Sequence, residues 1–198
     1  GRILTGEVDP SGRTVDTWIA DYTADPTWAN TLDGTYTNIG SDINGVNSNK
    51  FFEYEEGIYM GYRYYETRGL TAGGDWYGDN VVYPFGHGLS YTKFEHAVTA
   101  QTPSGSTLAK DGKLSFTVDV SNMGEYDGKE SVGRYYSAPY TDGGIEKAHV
   151  ALGDFAKTEL LAKRTGKGSV TLEINVRDMA SYDYDDANKN GFKGYELD

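Results

Sequence analysis

The sequence predicts a mainly β protein whose second half is a two-sheet sandwich of the immunoglobulin or fibronectin type III kind, preceded by a loop-rich first half. Two segments, 114–120 and 170–176, alternate between apolar and polar residues, which is the pattern of a strand with one buried face. Turn sequences separate the candidate strands, and glycine supplies 26 of the 198 residues. About six or seven short strands within roughly 100 residues are typical of a sandwich.

The first half, residues 1–95, carries few signals of regular structure. Segment 21–50 is polar and contains Gly, Asn, Asp and Pro throughout, which predicts a long loop, and residues 69–80 are predicted to be loop-like as well. Between them, residues 54–66 are the densest aromatic stretch, and they alternate as a strand would. Because long loops are poor evidence for an independent domain, we expect this half to be the tail of a larger domain.

The second half, residues 96–198, is predicted to form the sandwich, with its first strand starting just before the boundary. The predicted strands lie near 94–101, 114–120, 130–137, 150–157, 170–176 and 192–197. The turn sequences between them are Asn122-Met123-Gly124, Asp127-Gly128, Asp142-Gly143-Gly144 and Asn190-Gly191.

Composition excludes several classes of function. The chain has 18 basic and 30 acidic side chains, a net charge of −12, which argues against nucleic-acid binding because phosphate contacts need a basic face. No apolar run approaches the ~20 residues of a membrane-spanning helix, so no membrane segment is predicted. The absence of cysteine excludes disulfides, thiolate zinc sites and cysteine nucleophiles. The acidic balance favours a secreted or cell-surface bacterial protein over a cytoplasmic one, and the compartment itself stays open.

Two acidic segments could suggest a catalytic or metal site. Glu53, Glu55 and Glu56 are neighbouring carboxylates, for which a solvated or capping cluster is favoured over catalysis. Residues 186–191 (DANKNG) fit the start of a calcium loop, but Leu197 stands where a bidentate Glu would be needed. A plain turn is therefore favoured over a Ca²⁺ site.

The histidines give no metal signal. His87, His96 and His149 lie far apart in the sequence, and none has a partner at metal-ligand spacing. No metal ion and no cofactor is predicted.

Several motifs occur in an order that resembles a known family. In the first half they are residues 7–13 (EVDPSGR), 56–65 (EGIYMGYRYY) and 83–92 (YPFGHGLSYT). In the second half they are residues 138–147 (APYTDGGIEK), 153–158 (GDFAKT) and 180–183 (ASYD). Together they resemble the C-terminal part of glycoside hydrolase family 3, the β-glucosidase and β-xylosidase family, over essentially the whole chain. One departure is segment 162–168 (AKRTGKG), which lacks the Pro-Gly turn usual in the family.

The resemblance implies that residues 1–95 are the incomplete tail of an α/β sandwich domain with a linker, and that residues 96–198 are a fibronectin type III-like domain. Retaining glycosidases need two carboxyl groups about 5–5.5 Å apart. In this family the nucleophile is an Asp on a separate (β/α)8 barrel, and the acid/base is a Glu upstream of residues 7–13. No residue of this chain therefore inherits a catalytic role.

The implied function is that of a non-catalytic scaffold in an enzyme that hydrolyses terminal β-D-glucosyl or β-xylosyl residues. Its partners would be the remaining catalytic domains and, for the full enzyme, a β-glucoside or β-xyloside oligosaccharide. Within the motifs, Glu56, Arg63, Phe85 and His87 are predicted to be structural. Glu56 is expected to pair with Arg63 or a backbone amide, and His87 to pack in a tight turn.

Aromatic side chains in loops suggest a second hypothesis, a carbohydrate-binding or structural fibronectin-like module. Exposed aromatic rings can stack on the apolar faces of sugars. Trp76 and Tyr77 in a Gly/Asp-rich loop, and Tyr140 in a second loop, are the candidates for sugar stacking. Packing against a neighbouring domain is the favoured alternative for all three.

Overall fold

A computed structural model of the chain describes residues 1–31, 34–36, 50–105 and 107–197. Its strands are β1 Trp18–Ile19, β2 Gly34–Thr35, β3 Lys50–Phe51, β4 Val81–Tyr83, β5 Phe94–Thr102, β6 Lys113–Asn122, β7 Ser131–Tyr136, β8 Ala151–Lys157, β9 Lys167–Asn175, β10 Ser181–Asp183 and β11 Gly194–Glu196. Its α-helices are α1 Tyr62–Thr71 and α2 Trp76–Asn80, and short 3₁₀ turns cover Tyr22–Ala24, Pro26–Thr31 and Val176–Met179. Much of the loop predicted over 21–50 lies outside the described residues.

Two antiparallel sheets form the sandwich of the second half, as the alternation predicted. One sheet has the order β5-β6-β9, and the other pairs β7 with β8. In the central strand β6, Phe116, Val118 and Val120 are buried while Asp119 is exposed. Strand β9 repeats the pattern, because its apolar residues are buried and its polar ones exposed. The fold class is therefore confirmed as mainly β.

The core of the sandwich lies between the two sheets. It consists of buried aliphatic side chains from β6, β7, β9 and the turn before β9: Val118, Val120, Val132, Leu161, Val170 and Leu172. Phe94 at the start of β5 and Ala156 in β8 pack against this cluster. Burying an aliphatic side chain of this size contributes about 1.5–3 kcal/mol, so these residues provide much of the drive to fold.

The last hairpin was only partly predicted. Strand β11 lies within the predicted 192–197 segment, and it pairs with β10, from Ser181 opposite Glu196 to Asp183 opposite Gly194. Strand β10 was not predicted as a strand, because its three residues are too few to show alternation. The boundary between residues 95 and 96 stays a prediction.

The aromatic stretch of the first half is a helix, which corrects the strand-like interpretation of residues 54–66. Helix α1 begins directly after Gly61, whose φ of +55° suits glycine. Before the helix, Ile58 and Met60 are exposed while Tyr59 is half-buried. Within the helix, Tyr65 is the buried residue.

Residues 69–80 are also more ordered than predicted. They contain the end of α1 and the whole of α2, and the Asp75 carboxylate caps α2 by accepting a hydrogen bond from the amide of Gly78. Elsewhere in the first half, β1 pairs with β4 and β2 pairs with β3. Among the described residues, no helix is both long enough and apolar enough to span a membrane.

Candidate functional site: the contacts that join the first half to the sandwich

The segment 7–13 lies between the 83–92 segment and the sandwich. The Asp9 carboxylate accepts hydrogen bonds from the Ser90 hydroxyl at 2.9 Å and from the Tyr91 amide at 2.6 Å. On the other side, the Lys157 ammonium donates to the Ser11 carbonyl at 2.8 Å. The motif therefore connects the end of the first half with strand β8 of the sandwich.

Arg13 makes the strongest of these contacts. Its Nη2 lies 2.6 Å from Oε2 of Glu130, whose side chain is only 9% exposed. His96 in β5 lies on the other carboxylate oxygen, with Nε2 at 3.5 Å. A buried carboxylate is costly without a partner, so Glu130 depends on Arg13 for its charge balance. This ion pair fixes the first half to the entrance of β7.

Asn122 connects the two parts from inside the core. Its Oδ1 accepts from the Thr92 hydroxyl at 2.6 Å and from the Gly124 amide at 3.1 Å. Its Nδ2 donates to the carbonyls of Tyr126 at 2.8 Å and Leu161 at 3.0 Å. Asn122 is 1% exposed, and these four bonds satisfy the hydrogen-bonding capacity of its amide. The end of the 83–92 motif is thereby held to β6.

An aromatic cluster joins α1 to the β7–β8 sheet. The Tyr62 ring lies 4.4 Å from Phe85, and Tyr135 in β7 lies 6.4 Å from each of them, in edge-to-face geometry. The Tyr62 hydroxyl accepts a hydrogen bond from the Leu152 amide in β8 at 2.7 Å. Edge-to-face pairs add about 0.5–1.5 kcal/mol each beyond the buried area. Helix α1 is thus packed on the second sheet.

The segment after Tyr140 is bound to the same helix region. The Tyr59 hydroxyl donates to the Glu146 carboxylate, and the Thr67 hydroxyl accepts from the His149 amide at 2.9 Å. Burial and the bond to Glu146 both raise the pKa of Tyr59, so that its phenol remains a donor. These contacts connect the segment before β8 to Tyr59 and to the middle of α1. Together with the contacts above, they form the join between the first half and the sandwich.

The predicted sugar-stacking residues are placed as follows. Trp76 stacks on Tyr65 at 6.5 Å with an angle of 14°, and the Arg68 guanidinium lies 5.9 Å from its ring centroid. The Tyr77 hydroxyl donates to Glu66 at 2.7 Å. Both residues are half-buried in α2, whereas Tyr140 is 52% exposed between β7 and β8. The contacts of Trp76 and Tyr77 with α1 leave less of each ring for a sugar.

The four predicted structural residues lie in different surroundings. Phe85 belongs to the aromatic cluster above. Glu56 accepts a hydrogen bond from the Asn30 side chain at 3.2 Å rather than from Arg63. The His87 carbonyl accepts from the Thr14 amide at 2.8 Å, and its ring lies 4.8 Å from that of Tyr83. Arg63 is exposed on α1.

Two carboxylates of the 183–191 turn accept hydrogen bonds from backbone amides of the same turn. The Asp183 carboxylate accepts from the amides of Asp185 and Ala187, and the Asp186 carboxylate accepts from the Gly191 amide. Burial raises the pKa of Asp183, but the backbone hydrogen bonds outweigh it, so this pKa is lowered overall. In the described part of the chain, no three His, Asp or Glu side chains are grouped so that they could hold a metal ion.

Sequence reasoning could not find the partners in this join. Glu130 lies 117 residues from Arg13, and Asn122 lies 30 residues from Thr92. Each motif was visible by its composition, but the pairing depends on how the sheets bring distant segments together. Asn122 stands in a predicted turn sequence, so its burial at the end of β6 was not predicted.

Replacing Gly88 by alanine is expected to loosen the join and to lower the free energy of unfolding by about 1–3 kcal/mol. A Cβ at Gly88 would overlap the Gly12 carbonyl oxygen and lie 2.5 Å from Nη1 of Arg13. The backbone of Gly12 cannot move without disturbing the Arg13–Glu130 pair. Urea unfolding followed by tryptophan fluorescence measures the change.

The matched control is Gly57→Ala, because a Cβ at Gly57 meets nothing within 4 Å. We expect this control to change stability by less than about 0.5 kcal/mol. Equal stability of the two variants would contradict the close approach of segments 7–13 and 83–92.

The chain resembles known β-glucosidases along its length, although no family model matches it. It is 36% identical over 191 residues to β-glucosidase A of Butyrivibrio fibrisolvens, which covers 92% of this chain and 20% of that protein. A β-glucosidase structure from Paenibacillus barengoltzii superposes with a TM-score of 0.77 at 37% identity, over all of this chain and 18% of that one. The GH3 β-glucosidase structure from Bifidobacterium adolescentis gives 0.67 at 25% identity, over all of this chain and 24% of that one. The chain thus spans about a fifth of the length of these proteins.

Proposed function

This chain corresponds to the C-terminal part of the glycoside hydrolase family 3 β-glucosidases, and from that premise we propose that it acts as the non-catalytic scaffold of such an enzyme. The full enzyme would hydrolyse terminal β-D-glucosyl or β-xylosyl residues with carboxylates supplied by its other domains. The observation that carries the proposal is the join itself, centred on the Arg13–Glu130 ion pair. A segment held by a nearly buried ion pair can present a fixed surface to further domains.

Exposed apolar side chains of the first half support this proposal. Leu4 is 89% exposed, Leu89 is 73% exposed, and Val82 on β4 is 52% exposed. The segments of Leu4 and Leu89 are connected by a hydrogen bond from the Tyr91 hydroxyl to the Ile3 carbonyl at 2.9 Å. Exposed apolar surface that is contiguous marks an interaction site. We infer that the catalytic domains cover these residues.

The purified 198-residue chain is expected to release no p-nitrophenol from p-nitrophenyl β-D-glucopyranoside or β-D-xylopyranoside. The physical reason is that retaining hydrolysis needs a nucleophile and an acid/base, and the family places both outside this segment. A continuous absorbance assay measures the rate, with a complete family 3 β-glucosidase as positive control. Turnover that rises in proportion to the chain and elutes with it in gel filtration would contradict the proposal.

Reading the coding DNA on both sides of this segment separates the two hypotheses. A reading frame that continues into an α/β domain and a (β/α)8 barrel supports the scaffold. Start and stop codons that bracket residues 1–198 would instead support a free-standing sugar-binding or structural module.

A further inference from the structure

An aromatic cleft lies beside β1. It has a volume of about 420 Å³ and is lined by the run from Asp16 to Ile19 together with Tyr22, Asp25, Thr27 and Trp28. Trp18 is 60% exposed and Tyr22 is 68% exposed. Each large aromatic side chain could bury an area of about 150–250 Å² against a ligand.

The aromatic rings are held in a defined arrangement. Tyr22 and Trp28 meet edge to face, with ring centroids 5.2 Å apart and planes at 75°. The Trp18 backbone lies on β1, opposite Tyr83 of β4. The corner formed by Tyr22 and Trp28 therefore offers a ligand a surface that needs little reordering, which lowers the entropic cost of binding.

The polar groups of the cleft suit a neutral, hydroxylated ligand. The Asp25 carboxylate already accepts from the Thr27 amide at 2.8 Å, the Thr27 hydroxyl at 2.5 Å and the Tyr65 hydroxyl. Burial raises the pKa of Asp25, but these hydrogen bonds outweigh it and lower that pKa overall. Asp25 is thus a satisfied anion, and Asp16 is the exposed carboxylate of the lining.

The cleft does not have the form of a cage for an organic cation. Recognition of quaternary ammonium groups relies on aromatic faces that surround the charge. Here Tyr22 and Trp28 form a corner, and the third ring, Trp18, is more than half exposed. A flat ligand with apolar C–H groups on its faces and hydroxyls at its edge matches this geometry better, since the hydroxyls can donate to the exposed Asp16 carboxylate.

We propose that the cleft formed by Trp18, Tyr22 and Trp28 binds a single neutral pyranose ring. The ring stacks on the aromatic faces, and its hydroxyls donate to the Asp16 carboxylate at the edge. This site differs from the Trp76, Tyr77 and Tyr140 candidates, and it does not depend on the proposed scaffold function.

The test titrates the full chain with methyl β-D-glucopyranoside and methyl β-D-xylopyranoside while tryptophan fluorescence is recorded. The chain has three tryptophans, of which Trp18 and Trp28 line the cleft and Trp76 lies in α2. We expect a saturable change with half-saturation on the order of millimolar, as a ligand of this size and an open site allow.

Two variants make the test specific. Trp18→Ala is expected to weaken binding at least about tenfold, and Trp18→Phe to restore part of it, because the aromatic face carries the stacking. Trp76→Phe is the matched control and should bind like the unaltered chain. Thermal unfolding followed by circular dichroism verifies that each variant is folded.

Glycerol and choline separate the possible chemistries. Glycerol has hydroxyls without an apolar ring face and is expected to give no saturable change. Saturation by choline but by neither glycoside would overturn the proposal in favour of a cation site. A linear response to both glycosides up to about 100 mM, well above the expected half-saturation, or equal binding by Trp18→Ala, would also overturn it.

Discussion

Replacing Asn122 by leucine is expected to lower the free energy of unfolding by about 3–6 kcal/mol. The side chains have similar size, so the loss comes from the hydrogen bonds rather than from a cavity. The buried Thr92 hydroxyl, the Tyr126 carbonyl and the Gly124 amide would lose their bonds to Asn122. The Leu161 carbonyl would lose one bond but keep the one from the Gly128 amide. Each buried group left without a partner costs about 1–3 kcal/mol.

The experiment for Asn122 is urea unfolding monitored by circular dichroism at equilibrium. Asn175→Leu is the matched control, because Asn175 is exposed at the end of β9 and bonds only locally to Asp178. We expect this control to change stability by less than about 1 kcal/mol. If both variants unfolded at the same urea concentration, the hydrogen bonds of the Asn122 side chain would not contribute to stability as argued above.

Replacing Leu172 by alanine is expected to cost about 2–5 kcal/mol of stability. Leu172 is 1% exposed in the middle of β9, opposite Phe116 of β6, and belongs to the core cluster between the sheets. Removing its side chain loses the transfer free energy and leaves a cavity, because the two sheets are held apart by their other residues. The same unfolding experiment measures the loss.

The control for Leu172 is its neighbour in sequence. Thr171 is on the exposed face of β9, so Thr171→Val keeps the β-branched shape and should shift stability by less than about 0.5 kcal/mol. A cost below about 1 kcal/mol for Leu172→Ala would mean that the face predicted from the alternation is not the core.

The sandwich could be predicted from the sequence because its strands carry their own signal. The period-two pattern of β6 and β9 identifies both the strand and its buried face, and the turn sequences mark where each strand ends. The apolar residues of these two strands, Leu172 among them, therefore lie on the face that the alternation predicts to be buried.

The first half could not be predicted in the same way. Helix α1 contains three tyrosines, two threonines and a glycine, which have weak helix propensity, and its one buried residue gives no periodic stripe. Its stability depends on Tyr62 and Tyr65, whose partners lie elsewhere in the chain. The sequence did not predict the aromatic cleft either, because Trp18 and Trp28 lie in segments without a regular pattern of apolar residues.

The hydrogen bond from Lys157 to Ser11 spans 146 residues, and this distance has a consequence for biosynthesis. At roughly 5–20 residues per second, a ribosome needs about 7–30 s to reach Lys157 after it has added Ser11. Glu130, the partner of Arg13, emerges only late in that interval. During this time Tyr59 and Tyr62 lack the partners that they find after residue 140. The newly made first half then exposes apolar surface, which makes it a client for chaperones.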